Sequence, residues 1–362
     1  MSAPAVNATH PARDDRAGRG RLGRVGLWTG SLEGVPVAQV PDVLGELDDQ
    51  GWGSLWFGEA VGREAFTAAQ LYLGATRRMT IGTGIANIYG RDASAAGSAA
   101  RTLEASHPGR FVLGLGVSHA PLVERHRGHH YGRPLSAMRE YLDALDRTRA
   151  LAAGEDVMPP VVLAALGPKM LGLSRDRTAG AHPYLTLPEH TARAREILGG
   201  TGEDGPALVV EYAAVVAAGV GDDDEVWRSR AHDHLTVYTG LPNYRNSWTR
   251  QGFEESDYVR GGSDRLKRAL VTRGLEATRA RVQEHLDAGA STVLVQVLGE
   301  NMLVPPVQDW RLAAEALLLI AHGLLKLQLG DRRTTDRSQL ATTACILDVG
   351  IDTKKSEGKS DQ

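Results

Sequence analysis

The chain has 362 residues, 42% of them apolar, and a formal net charge of −3. That length is enough for a sizeable core, and so balanced a charge gives no whole-protein attraction to nucleic acid. Its single cysteine, Cys345, excludes an internal disulfide and a cysteine-rich zinc site. No run of about eighteen apolar residues is present for a membrane helix, and together these features give a cytoplasmic expectation.

Residues 1–22 have no apolar core and mix acids among their arginines, so they read as a disordered leader rather than a secretory or transit peptide. Short apolar runs then alternate with helix-like runs. "RVGLW" (24–28) is the first strand, and Val37, Val40, Val43, Leu44 and Leu47 follow at helical spacing with Gly51 as the stop. "SLWFG" (54–58), "MTIGTGIANIY" (79–89), "FVLGLGV" (111–117), "VVLAAL" (161–166), "AGAHPYLTL" (179–187), "ALVVEYAAVVAA" (207–218) and "TVLVQVL" (292–298) are the next seven strands, each leading to a helical stretch. Strands this uniformly apolar belong to a parallel sheet covered on its outside. Eight strand–helix units predict a (β/α)₈ TIM barrel over 23–328, with a doubly wound open sheet as the competing fold. Residues 219–278 form an insertion between strands seven and eight, with Tyr238, Tyr244, Trp248 and Phe253; it reads either as packing or as a lid over the barrel mouth. From 329 to 362 the chain turns polar and reads as a disordered tail.

A barrel builds its chemistry from the C-terminal ends of its strands. That places Glu59, Gly84 to Asn87, Gly116 to His119, and Gly167 on one rim. The stretch "VSHAPLVERHRGHH" carries four of the chain's 12 histidines. His126, His129 and His130 are spaced for one helical face, but Gly128 interrupts them, so an exposed polar loop competes with a metal site. "LAALGPKM" ends a strand with Gly167, opens a helix with Pro168 and sets Lys169 in its first turn. Such a terminus suits a phosphate, or is an ordinary strand-to-helix turn. "LGLGVS" contains G-x-G without the remainder of a dinucleotide fingerprint.

"SLWFGEAVGREAF", "IGTGIANIYGRDA", "HPGRFVLGLGVSHAP", "VLAALGPKML", "GAHPYLTLPEHTARAR" and "HLDAGASTVLVQVL" together resemble the luciferase-like monooxygenase superfamily, and most closely its branch using the deazaflavin coenzyme F420. The resemblance runs in order from about residue 24 to 325. It implies a bacterial-luciferase-like barrel with the deazaflavin at the C-terminal mouth, and a non-proline cis peptide at Gly84-Ile85 under the ring. It also implies cofactor contacts from Asn87, Ser118, Gly167, Pro168 and Lys169. A sugar-phosphate dehydrogenase of the superfamily ends strand four with a glutamate proton donor, where this sequence has His119. The expected activity is hydride transfer between deazaflavin C5 and a small organic substrate. His119 would move the proton or only bind the cofactor, and Glu59 would orient it, bind substrate or form a rim salt bridge with Arg63. The alternatives are an FMN-dependent monooxygenase served by a separate flavin reductase, and a non-catalytic flavin-binding barrel. Neither a nucleic-acid nor a membrane partner is expected; a homodimer is expected by analogy with the family.

Overall fold

The computed structural model describes residues 22–200, 205–216 and 224–321. The tail, Cys345 and all of the leader but Leu22 lie outside them. Ten strands form one sheet: β1 (Val25–Trp28), β2 (Ser54–Phe57), β3 (Thr80–Thr83), β4 (Ala86–Asn87), β5 (Phe111–Gly116), β6 (Val161–Ala164), β7 (Gly180–His182), β8 (Ala207–Val215), β9 (Val271–Arg273) and β10 (Thr292–Val297). Every pairing is parallel, and β10 pairs with both β1 and β8, which closes the barrel predicted from the alternation. The open sheet is thereby excluded. No helix among the described residues is long and apolar enough to cross a membrane.

The helices lie between the strands: α1 (Val40–Gln50), α2 (Ala65–Ala75), α3 (Ala93–Ser106), α4 (Pro134–Leu145), α5 (Pro168–Arg177), α6 (Pro188–Leu198), α7 (Asp224–Tyr238), α8 (Pro242–Arg250), α9 (Asp264–Leu270), α10 (Gly274–Asp287) and α11 (Val307–Ala321). Their starts follow local chemistry. Glu64 caps α2 by accepting from the Phe66 and Thr67 N–H groups, Asp92 caps α3 at Ala95 N, and proline opens α4, α5 and α6.

Two departures from the sequence reading bear on the site. The third strand is two pieces, β3 and β4, separated by a bulge at Gly84-Ile85. The insertion contributes a strand as well as helices. β7 pairs only with the start of β8, and β9 takes the same edge higher up, with Ala213, Ala214 and Val215 opposite Val271, Thr272 and Arg273. Backbone groups that would otherwise be buried without partners are satisfied in this way.

Inside the barrel, Trp56 packs with Leu22, Val112, Val162, Ala207, Val209 and Leu294. The indole fits because its neighbours lack side chains: a Cβ on Gly82 would lie 2.4 Å from it. At Gly114 the obstacle is backbone, with the Thr83 carbonyl oxygen 1.9 Å from a Cβ. Neither strand can yield without breaking its ladder. Gly114→Ala is therefore expected to cost about 3 kcal/mol or more, read as a lowered urea midpoint.

Candidate active site

The bulge is fastened from β1 and from the end of β2. The Gly84 N–H donates to Phe57 O at 2.6 Å, and Glu59 N–H donates to Ile85 O at 3.1 Å. Trp28, at the end of β1, donates its indole N–H to Gly84 O at 2.9 Å. The Gly84-Ile85 peptide is cis. Glycines clear the space around it: a Cβ on Gly116 would meet Ile85 Cγ1 at 2.5 Å, and one on Gly58 would meet the Trp28 ring at 3.1 Å.

Glu59 is buried beside the bulge. Its Oε2 accepts from Asn87 N–H at 2.8 Å, and its Oε1 pairs with Arg91, with Arg127 at 3.9 Å. The expected ion pair with Arg63 is not formed, because that guanidinium donates to the Leu32 and Val35 carbonyls. Nor does Glu59 orient His119, whose hydrogen-bond partner is Asn243. Asn87 accepts from Tyr89 N–H at 2.9 Å through Oδ1, while its Nδ2 is buried with no partner among the described residues.

Beyond β5, Ser118 takes a left-handed backbone conformation (φ 56°), and its carbonyl accepts from the Tyr131 hydroxyl at 3.2 Å. His119 turns toward α8, with the Tyr244 ring 5.9 Å away. Burial pushes its pKa below the ordinary histidine value, and the Asn243 hydrogen bond opposes that in part. His126, His129 and His130 are exposed. Among the described residues no group of three or more His, Cys, Asp or Glu is placed to hold a metal ion.

In the other half of the mouth, the sequence singled out the insertion's Tyr238 and Tyr244 but not Tyr184, His182, His234 or Glu211. β7 ends at His182, which leaves Tyr184 on the rim rather than inside a strand. Its ring lies nearly parallel to Trp28 (centroids 6.5 Å apart, planes at 11°), and Tyr238 and Tyr244 meet it edge-on. The Tyr184 hydroxyl donates to Gln296 Oε1 at 2.5 Å and hydrogen-bonds His234 Nε2. Deeper in the barrel, His182 Nε2 lies 3.3 Å from Glu211 Oε2. Burial raises all three tyrosine pKa values, with Glu211's charge adding to the effect. Burial also pushes His234 down to about 4 and Glu211 up to about 7. The available signals were the i, i+4 spacing of His234 and Tyr238 and an acid within the otherwise apolar run "ALVVEYAAVVAA".

Gly167 caps α5, Pro168 opens it, and Lys169 is exposed in its first turn. Only Arg250 Nη2, at 3.7 Å, would approach a Cβ on Gly167, so the helix N-terminus is open. Arg250 also donates to Leu166 O at 3.1 Å. α8 thus joins two parts of the rim, since Asn243, near its start, binds His119 and Arg250, at its end, reaches the Leu166 carbonyl just past β6. The insertion aromatics Trp248 and Phe253 are buried in the cluster that also holds Tyr184 and Leu185, so they pack rather than hang free.

A Mycobacterium tuberculosis protein named as a coenzyme F420-dependent oxidoreductase is 31% identical over 191 residues, which cover 52% of this chain and 53% of that protein. The chain thus spans about half the length of the curated relatives it matches. Among solved structures, an F420-dependent secondary alcohol dehydrogenase in complex with an F420-acetone adduct superposes with a TM-score of 0.60. It is 13% identical, covering 82% of this chain and 99% of that one. The FMN-bound oxygenating constituent of 3,6-diketocamphane monooxygenase from Pseudomonas putida gives a TM-score of 0.61. It is 10% identical, covering 82% and 97%. These two likenesses establish the shared fold. The luciferase-like monooxygenase profile matches residues 22–291, most of the barrel, and the chain belongs to that family.

Proposed function

We propose that the chain is an F420-dependent oxidoreductase that transfers a hydride between deazaflavin C5 and a small organic substrate. The carrying observation is the unpartnered, buried Asn87 Nδ2 beside the glycine-cleared bulge. A donor so placed suits the carbonyl edge of a planar ring resting on Gly84 and Ile85. The open α5 terminus at Gly167 and Pro168, with Lys169 and Arg250, suits an anionic tail, and Ser118 supplies a further polar contact. When bound, the cofactor gives or takes the hydride, and the protein's work is positioning and proton handling. Glu59 positions Asn87 by holding its N–H. His119, kept neutral at pH 7 by burial, takes the proton released in substrate oxidation.

The expected result for His119→Ala is a kcat lower by about 10²-fold or more with cofactor affinity little changed. The low-pH limb of the rate profile should vanish with it. Equal kcat values for the variant and the parent would remove His119 from the chemistry. A second reading, an FMN monooxygenase supplied by a separate reductase, is supported by the FMN-bound structural neighbour. Substrate-dependent bleaching of the deazaflavin absorbance, without oxygen uptake, separates the two.

A further inference from the structure

The barrel mouth carries a wall of aromatic rings that the hydride and proton chemistry leaves unused. Trp28, at the end of β1, packs against the barrel core and is half-buried, as are Tyr238 and His119. Trp28 pairs in register with Gln296 of β10, so both side chains face the interior. Tyr184 lies nearly parallel to Trp28, and its hydroxyl is engaged on both sides. A phenol has one hydrogen, which goes to Gln296 Oε1 at 2.5 Å, so His234 Nε2 donates to the phenol oxygen. These ties to β10 and α7 fix the ring, and leave the ring rather than the hydroxyl to meet a ligand. Its centroid is 6.5 Å from that of Trp28, near the outer limit for aromatic pairs in contact. Tyr238 and Tyr244 meet Tyr184 edge-on, and the Tyr244 ring continues the wall to His119.

The wall is neutral. Burial holds His234 down to about 4 and His119 below the ordinary histidine value, so both rings are uncharged at pH 7. Apart from other tyrosines, the one ionisable group among the described residues that acts on Tyr238 and Tyr244 is Glu211. Glu211 is itself 2% exposed and met by His182 Nε2 at 3.3 Å, so it is closed to a ligand cation. The arginines of the surrounding loops are turned to protein groups. Arg91 meets Glu59 and Glu64, Arg230 the Leu298 carbonyl, and Arg245 the Thr239 carbonyl and Glu255. A phosphate or carboxylate brought to this wall would lose hydration without gaining a counter-charge. An uncharged planar ring gains ring-to-ring contacts on top of apolar burial.

We propose that this wall seats the substrate, and that the substrate is an uncharged molecule carrying an aromatic ring next to its alcohol or ketone carbon. The ring lies along Trp28 and Tyr184, and the oxygen reaches toward His119. This substrate class deepens the hydride-transfer reading above and takes from it the place of the reacting carbon. The affinity of the wall for an uncharged aromatic ring does not depend on that reading.

Calorimetric titration of the purified protein, with and without F420, tests the class with three probes: acetophenone, cyclohexyl methyl ketone and glucose 6-phosphate. The two ketones differ only in whether the ring is flat and aromatic. Acetophenone is expected to bind about tenfold more tightly than its cyclohexyl counterpart, and glucose 6-phosphate not at all. Tyr184→Leu should bring the two ketones within about threefold of each other, while Tyr184→Phe, which keeps the ring, retains most of the preference. Tyr238→Leu, at a half-buried position, should narrow the gap as well, and carries the test if Tyr184→Leu does not fold. Equal binding of the two ketones by the parent, binding of neither, tighter binding of the phosphate ester, or a ratio unchanged in every leucine variant that folds overturns the class. Turnover is read separately, as bleaching of the F420 absorbance by 1-phenylethanol. Selective acetophenone binding without bleaching rejects the hydride-transfer reading and leaves the aromatic seat standing.

Discussion

Replacing Gly84 with alanine is expected to weaken deazaflavin binding about 100-fold or more, close to 2.7 kcal/mol. The added Cβ would sit 2.7 Å from Trp28 Nε1 and 2.9 Å from His182 Nε2. Neither ring has room to withdraw. Trp28 packs against Tyr184 and donates to the Gly84 carbonyl, and His182 is held through both ring nitrogens. The bulge itself must shift, and with it Ile85 and the Glu59–Asn87 contact that aims the unpartnered amide. Overpacking of this kind also lowers stability, by about 1–3 kcal/mol, so the thermal midpoint is measured alongside the dissociation constant. A variant that melts lower yet binds within about threefold of the parent would detach the bulge from the cofactor seat.

Acid should destabilise the protein through His285. That ring, on α10, is fully buried, bonds Thr191 Oγ1 at 2.9 Å, and lies against Tyr212. Burial, aided by Arg281 and His190, pushes its pKa down to about 3. The folded state therefore binds a proton less readily than the unfolded chain, whose histidines titrate near 6.5. The contribution of His285 is fully present above that value and is lost as pH falls toward about 3, amounting to ~2.7 kcal/mol over the first two pH units. His234, held down to about 4, acts with the same sign. Glu211 acts oppositely. Its folded pKa near 7 exceeds the unfolded value, so its contribution is complete in acid and lost as pH rises through 7. A difference measurement isolates His285. Between about pH 7.5 and 4.5, His285→Gln should lose roughly 2.7 kcal/mol less unfolding free energy than the parent. Equal losses in both proteins would place the charge-sensitive burial elsewhere.

Much of the barrel was legible because a closed parallel sheet imposes a repeating signal. Each strand is a short apolar run, and the starts of α1 to α6 carry a proline or an acidic cap. The same regularity located the rim, and so Glu59, Gly84, Asn87 and His119, before any contact was known. What the sequence did not reveal are the pairings between rim residues. Glu59 finds Arg91 on the following loop, 32 residues on, rather than the nearer Arg63. Tyr184 meets His234 and Gln296 across 50 and 112 residues. β9 is three residues long, too short for periodicity to register, and exists because β7 leaves the upper edge of β8 unpaired. Glu211 was hidden inside an apolar strand, where only the fold turns it inward toward the tyrosines.

The central claim is that the mouth seats a deazaflavin in preference to an ordinary flavin. Parallel fluorescence titrations of the purified protein with coenzyme F420 and with FMN test it most directly. The account predicts saturable F420 binding with FMN at least about tenfold weaker, a difference of 1.4 kcal/mol. FMN binding as tight as F420 binding, or binding of neither, would contradict it.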